Sequence, residues 1–492
     1  MTSAIHKVNA SDDVAVALRT LAVGETLDGG LIAAGDIPQG HKIALRAIAA
    51  GQDVVKYGSP IGRASQAIAA GEHVHTHNLT TKLEALEGYD FKPEAPAAPR
   101  AEPERTFLGY RRADGRVGVR NEIWILPTVG CVARTAQKIA EEANRRFAGR
   151  VDGVFAFTHP FGCSQLGEDL NNTRRIITAL AAHPNAGGTL IIGLGCENNQ
   201  LAELLASAPE IDRNRLRSFS TQMVDDEIED GLAAVEQLVE IAEHDSREPC
   251  PLSDLVLGLK CGGSDGFSGV TANPLVGMVA DRLAAAGGTP VLTEIPEVFG
   301  AERLLMARAA DRAVFDRVVE VVNDFKRYFI DHGQPIYENP SPGNVAGGIT
   351  TLEEKSLGAV QKSGHAPLTQ VLRYGERVRA KGLTLLEAPG ADGVSSTALT
   401  AAGATVLLFT TGRGTPLGFP APTLKIASNS ELATRKPRWI DFDAGVVLDG
   451  QTMDEAADAL FELVIDTASG KTTRSEDNGE REIAIWKEGV TL

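Results

Sequence analysis

The chain has 492 residues, 43% of them hydrophobic and 23% charged, a mixture that buries a sizeable core and excludes a disordered polymer. Its 65 acidic and 48 basic residues give a formal net charge of -17, and no Lys/Arg cluster interrupts that balance, which excludes nucleic acid and anionic membrane as partners. An anionic small molecule must then be met by a few local cations, by backbone N–H groups or by a metal ion.

So long a chain implies two or three domains. The first residues, MTSAIHKVNASDDVAVAL, lack the basic start and apolar run of a secretory signal. No stretch reaches the ~18 consecutive apolar residues of a spanning helix. Five cysteines are too few for a disulfide scaffold, and an odd number leaves one unpaired. A reducing cytoplasm is the expected location.

In chain order, residues 1–91 read as a small β-rich module, with short apolar segments such as HKIALRAI and VVKYGS between Gly, Pro and Asp punctuation. Residues 92–105, KPEAPAAPRAEPER, hold almost no large apolar residue and read as an extended linker. From residue 106 the pattern changes to buried strand, Gly-rich turn and amphipathic helix. Ile123–Val129 is a continuous apolar run, and Val132, Ala136, Ile139, Ala140, Ala143 and Phe147 then recur at helical spacing. Similar strand-like runs occur at Val154–Thr158, Leu190–Leu194, Leu255–Leu259, Val291–Glu294, Leu383–Ala388 and Val406–Thr410. Such alternation predicts parallel sheets covered on both faces, hence a multidomain α/β protein. A polar, Pro-containing stretch at Glu243–Ser253 divides a middle domain, 106–248, from a C-terminal domain, 249–492.

Several constellations could carry chemistry. GEHVHTHN places His73, His75 and His77 at alternate positions of a strand-like run, so the three imidazoles are expected on one face. They could ligate a divalent metal, orient a carboxylate or supply a general acid, or form a merely polar face. Cys131, Cys163, Cys196 and Cys261 each lie directly beside a Gly, at or just past a predicted strand end. Ligands of open α/β sheets bind at that edge, so a shared thiolate site is expected, holding either a single Fe(II) or an iron–sulfur cluster. The absence of a CxxC pair argues against zinc.

The loop CGGSDGFSG carries Ser264 and Asp265, with Asp265 as a candidate metal ligand or base; TTGRGT carries Arg413, whose fork matches a carboxylate. Asn344 lies in the Pro/Gly loop that feeds the helix after Thr351, a candidate anion seat. Thr350-x-x-Glu353 or Thr351-x-x-Glu354 reads as a capping box, which assigns those glutamates a structural duty. Neither GxGxxG in its proper setting nor GxxxxGK[ST] occurs, so nicotinamide and nucleoside triphosphate cofactors have no support.

These strings together resemble the altronate dehydratases, members of the altronate/galactarate dehydratase family. The resemblance runs through GHKIALRAI, AAGEHVHTHN, GVRNEIWILPTVGC, HPFGCSQLG, IIGLGCENNQ, GLKCGGSDGFSG, YENPSPGNVAGGITTLEEKSLG, TTGRGTP, LKIASNSEL and IDFDAG, and covers nearly the whole chain. It implies a β-clip module of the SAF type, a middle domain used in a homodimer and a Rossmann-like C-terminal domain. It implies dehydration of a sugar acid, D-altronate to 2-dehydro-3-deoxy-D-gluconate, with Fe(II) or Mn(II); galactarate, a pentonate, or capture of a sugar acid without turnover are the alternatives. Within that reading His75, His77 and Asp265 are the expected catalytic groups, Ser264, Arg413, Asn344 and Lys425 the substrate contacts, and the four strand-end cysteines the metal ligands.

Overall fold

The computed structural model describes residues 3–83, 86–94 and 103–490; most of the segment read as a linker, 95–102, lies outside them. The first eighty residues form two small antiparallel sheets. One orders Ile5–His6, Val14–Ala17, Lys42–Ala44 and His73–Val74; the other orders Asp53–Lys56, Ser59–Ala64 and Leu79–Thr80. The hairpin between Lys56 and Ser59 turns on Tyr57 and Gly58, both at positive φ, 59° and 72°, as two-residue hairpins require. Tyr57 accepts that conformation where its ring packs on Gly269 and Gly358 of the C-terminal domain.

The middle domain is a four-stranded parallel sheet in the order Val154–Ala156, Glu122–Pro127, Ala186–Gly193, Leu216–Ser220. Glu122–Pro127 is buried along its whole length, as a strand covered on both faces must be. Helix Ala133–Arg146 turns Ala136, Ile139, Ala140 and Ala143 onto the sheet. The C-terminal domain is a seven-stranded parallel sheet: Leu368–Leu372, Leu383–Leu386, Thr289–Leu292, Val256–Cys261, Val406–Thr411, Thr423–Ala427, Phe442–Asp443. Its first strand in sequence, Val256–Cys261, lies inside the sheet, so the chain winds away from it in both directions. Open α/β sheets bind ligands in a crevice at the carboxyl end of such a switch point, which here falls between the loops that follow Cys261 and Thr411. The expected α/β multidomain architecture with a parallel C-terminal sheet is present.

The stretch Glu243–Ser253 joins the middle and C-terminal domains. Glu248–Pro251 pairs antiparallel with Thr106–Arg111, and Cys250 within it is buried in the C-terminal core. The middle and C-terminal domains share a second core, in which Trp124, Leu126, Ile176 and Leu180 pack with Ala398, Leu399 and Leu407. Asn185 Nδ2 donates across that seam to Thr405 O at 3.1 Å. No helix of the described residues is long and apolar enough to cross a membrane.

Candidate active site

The crevice is built by four loops that approach one another closely. After Cys261 the chain runs through Gly262, Gly263, Ser264 and Asp265, and Gly266 N donates to Gly347 O at 2.7 Å. A Cβ on Gly266 would stand 1.9 Å from Gly40 O, so the N-terminal module rests directly on this loop. Asn344 Nδ2 donates to Ser264 O at 2.8 Å, and Arg413 Nη1 donates to Gly343 O at 3.0 Å. Loops 38–42, 262–269, 339–350 and 411–414 therefore form one rim.

Two of the expected site residues prove to be struts of that rim. Asp265 Oδ1 accepts from the N–H groups of Phe267 and Ser268 and the hydroxyls of Ser268 and Ser428, and its Oδ2 accepts from Asn429 Nδ2. Burial raises its carboxyl above the usual range. A carboxylate so engaged pins two loops together. Lys425 Nζ donates to Pro416 O at 2.6 Å, and burial lowers its pKa to about 8; it props the 411–418 loop from beneath.

Asn344 is half strut. Its Oδ1 accepts from Ser341 N and Oγ and from Lys355 Nζ at 3.2 Å, while Nδ2 holds Ser264 in place. Arg413 differs from all of these: it is exposed, and its bond to Gly343 O leaves most of the guanidinium fork turned to the crevice mouth. Its exposed guanidinium keeps donors for an anion.

The histidines gather above the same rim, though by another route than strand alternation. The strand ends at Val74, and His75–Asn78 is a turn in which Asn78 Oδ1 accepts from His75 N and Asn78 Nδ2 donates to His73 O. His41, which the sequence reading missed, joins through the pairing of Lys42–Ile43 with His73–Val74. His41 Nδ1 lies 3.0 Å from His73 Nε2, and His41 Nε2 lies 3.4 Å from Ala346 O. Ring centroids are 4.8 Å apart for His41 and His75, 5.3 Å for His73 and His75, and 5.5 Å for His73 and the exposed His77.

Burial first, then neighbouring imidazoles and Lys42, pushes His73 down to about 3; burial and then Lys42 push His75 down to about 4. Burial also lowers His41. Neutral imidazoles are the form that binds metals. One ring nitrogen from each of His41, His73 and His75 lies within 4.8 Å of the others. His75 Nδ1 is buried without a partner among the described residues, so its lone pair or proton is left unspent. Three imidazoles suit Fe(II), Mn(II) being a harder ion that also accepts nitrogen donors.

The four strand-end cysteines do not form one compact ligand set. They lie on two different sheets, and strand-end position alone does not say which edge. Cys131, Cys163 and Cys196 are exposed at the middle sheet, whereas Cys261 is buried in the C-terminal one. Its Sγ lies 3.2 Å from Glu297, 3.5 Å from Glu294 and 2.7 Å from Lys362 Nζ, and burial followed by the two carboxylates pushes the thiol up to about 12.

Glu294 also pairs with Lys260, and Glu297 with Lys355 at 2.8 Å. Cys261, Glu294 and Glu297 are close enough to hold an ion, but lysines already satisfy those carboxylates. We therefore place the better metal fit at the histidines. Lys355 continues the network to Asn344, so this buried charge cluster stiffens the floor under Ser264.

With this geometry in hand, comparison with known proteins is informative. Residues 3–82 match the altronate/galactarate dehydratase SAF domain, 109–243 the D-galactarate dehydratase/altronate hydrolase second domain, and 252–491 the D-galactarate/altronate dehydratase C-terminal domain. The chain is 50% identical to an altronate dehydratase of Bacillus subtilis and 52% identical to one of Escherichia coli, each over 99% of both chains. It is 36% identical to an Escherichia coli galactarate dehydratase (L-threo-forming), over 96% of this chain and 94% of that protein.

Proposed function

The chain belongs to the altronate and galactarate dehydratase family, and from its sugar-acid dehydratase character we propose that its substrate is D-altronate, which it converts to 2-dehydro-3-deoxy-D-gluconate and water. Identity of 50–52% to altronate dehydratases against 36% to a galactarate dehydratase supports that choice. The observation that carries the placement of the chemistry is the meeting of His41, His73 and His75 with the Ser264, Asn344 and Arg413 rim.

Removing water from a 2,3-dihydroxy acid asks for two things. The C2 proton is only weakly acidic, and hydroxide leaves C3 poorly without an acid. A divalent ion, Fe(II) or Mn(II), held by His41, His73 and His75 would supply Lewis-acid polarisation of the substrate oxygens. Arg413 binds the carboxylate at the crevice mouth and fixes which end of the sugar acid faces the histidines. Backbone N–H groups of the Gly-rich loops orient the hydroxyls. His77, exposed and outside the ligand set, takes the C2 proton on its imidazole and hands it to the departing C3 hydroxyl, so the proton lost from C2 leaves with the water. The docked N-terminal module keeps bulk water from the reacting carbons.

The test is a side-by-side kcat/KM on D-altronate and galactarate with anaerobically Fe(II)-loaded protein. The reading requires altronate to be preferred; preference for galactarate would move the chain to the other activity of the family. Ligand-induced stabilisation without any 2-keto-3-deoxy product would instead identify a binding protein.

A further inference from the structure

Three adjacent strands of the middle sheet each deliver a cysteine to one edge. Val154–Ala156, Glu122–Pro127 and Ala186–Gly193 are parallel neighbours in that order, and Cys163, Cys131 and Cys196 follow their carboxyl ends in turn. The three loops are tied together: Gly130 N donates to Phe161 O at 2.8 Å, Asn199 N to Gly162 O at 3.0 Å, and Ser164 N to Asn198 Oδ1 at 2.8 Å. Beneath them Glu197 accepts from the Thr128 hydroxyl and from Leu194 and Gly195 N–H, and Asn199 Nδ2 donates to Thr128 O. Gly162 has φ 101°, and a Cβ there would stand 2.1 Å from Thr128 O, so only glycine lets the Cys163 loop lie against the Cys131 loop.

So rigid a scaffold ends in three free, exposed thiols. A cysteine that serves packing is among the most buried of residues, and packing therefore does not account for three exposed ones on one rim. A second observation points to a ligand. Gln165, two residues past Cys163 and 4% exposed, spends its carbonyl on Gly162 N at 2.9 Å and the Thr173 hydroxyl at 3.0 Å, while its Nε2 is buried without a partner among the described residues. A buried donor left unspent within this scaffold suits an anionic ligand such as an inorganic sulfide.

We propose that Cys131, Cys163 and Cys196 ligate a [4Fe–4S] cluster, three irons taking thiolate and the fourth left open to an oxygen ligand. Each thiol gives its proton to solvent as it binds iron, and because the resting cluster is formally half ferrous and half ferric, the iron is supplied as Fe(II) and Fe(III) together, so no further oxidant is needed. A single ion fits less well, because these sulfurs are absent from the compact ligand sets found among the described residues, and a structural zinc takes four protein ligands. Thiolates select iron–sulfur chemistry over hard cations. The open iron suits a carboxylate or hydroxyl, the groups of a hydroxy acid. This cluster is separate from the histidine site and does not depend on it.

The test reconstitutes the full-length protein anaerobically with Fe(II), Fe(III) and sulfide, then measures visible charge-transfer absorption, iron and acid-labile sulfide. About four irons and four sulfides per chain are expected. Cys131→Ser, Cys163→Ser and Cys196→Ser should each lose the absorption and the labile sulfide, while Cys250→Ala keeps both. Alkylation of folded wild-type protein gives a check that needs no variant: the exposed thiols should react before reconstitution and be protected after it. No labile sulfide in wild type, retention of it in the three serine variants, or equal alkylation in both states would each overturn the assignment.

Discussion

Lys42 Nζ lies 2.8 Å from Glu354 Oε2 with both side chains shut off from solvent, and Lys56 Nζ lies 2.8 Å from the other oxygen of the same carboxylate. One carboxylate thus joins two lysines of the N-terminal module to the C-terminal domain. Lys42 also donates to Gly348 O at 2.7 Å, on the rim of the crevice. A single negative charge cannot fully offset two positive ones, and burial lowers Lys42 to about 8. Burial opposes the charge on Glu354, but Lys42 and Lys56 together outweigh it and hold Glu354 down at about 2.

Removing one partner of such a group leaves buried charge uncompensated. Glu354→Gln should cost about 3–5 kcal/mol of stability, measured by denaturant unfolding. The pH dependence has a definite sign. Because the folded-state pKa of Glu354 is depressed, its contribution is present above the ordinary value of 4.5 and is lost as pH falls through about 2. Wild-type melting temperature should therefore fall over that acid window, and Glu354→Gln should flatten the slope.

Asp265 pins loops, so Asp265→Asn should lower thermal stability and leave measurable turnover. The amide presents a donor to Asn429 Nδ2, where the carboxylate accepts. Loss of the general base would instead remove about 10²–10⁴-fold of the rate. A drop of that size at unchanged melting temperature would return Asp265 to the chemistry.

Arg413→Lys keeps the charge and loses the fork. A raised KM for altronate with kcat nearly intact is expected, on the order of tenfold for one lost charge-assisted hydrogen bond. Unchanged KM in steady-state kinetics would show that the substrate carboxylate sits elsewhere.

His77→Ala should lower kcat by about 10²–10⁴-fold if its imidazole supplies the leaving-group proton. Mn(II) binding, followed by calorimetry, should be unchanged, since His77 stands outside the ligand set. Equal losses of binding and rate would instead make His77 a ligand.

What the sequence disclosed follows from the physics of each signal. Ile123–Val129 and Val406–Thr410 were legible because strands covered on both faces are continuous apolar runs. Leu216–Ser220, an edge strand reading LRSFS, carries no such run, and Thr423–Ala427 hides Lys425 in a strand interior. The histidine cluster was visible in GEHVHTHN, yet His41 lies 32 residues from His73 and is brought there only by strand register, which no local pattern records. Glu354 looked like a capping partner. Thr351 does cap the helix, but the carboxylate accepts from Thr350 and reaches across to the lysines. Asp265 was legible as special but not as a tie between loops, because a lone carboxylate among glycines looks the same whether it faces substrate or binds its own loops.

We propose that the histidines at the module junction hold a divalent ion that assists dehydration of a sugar acid. The most direct test is anaerobic turnover of D-altronate by Fe(II)-loaded wild type and His73→Ala, with Fe(II) affinity measured on the same samples. Wild type should form the 2-keto-3-deoxy acid, lose activity to excess chelator and regain it with Fe(II). His73→Ala, still folded, should lose affinity and kcat/KM together by about 100-fold or more, since even an outer-shell partner is worth about 10–100-fold. Full turnover by His73→Ala, or by metal-stripped wild type in excess chelator, would contradict the account.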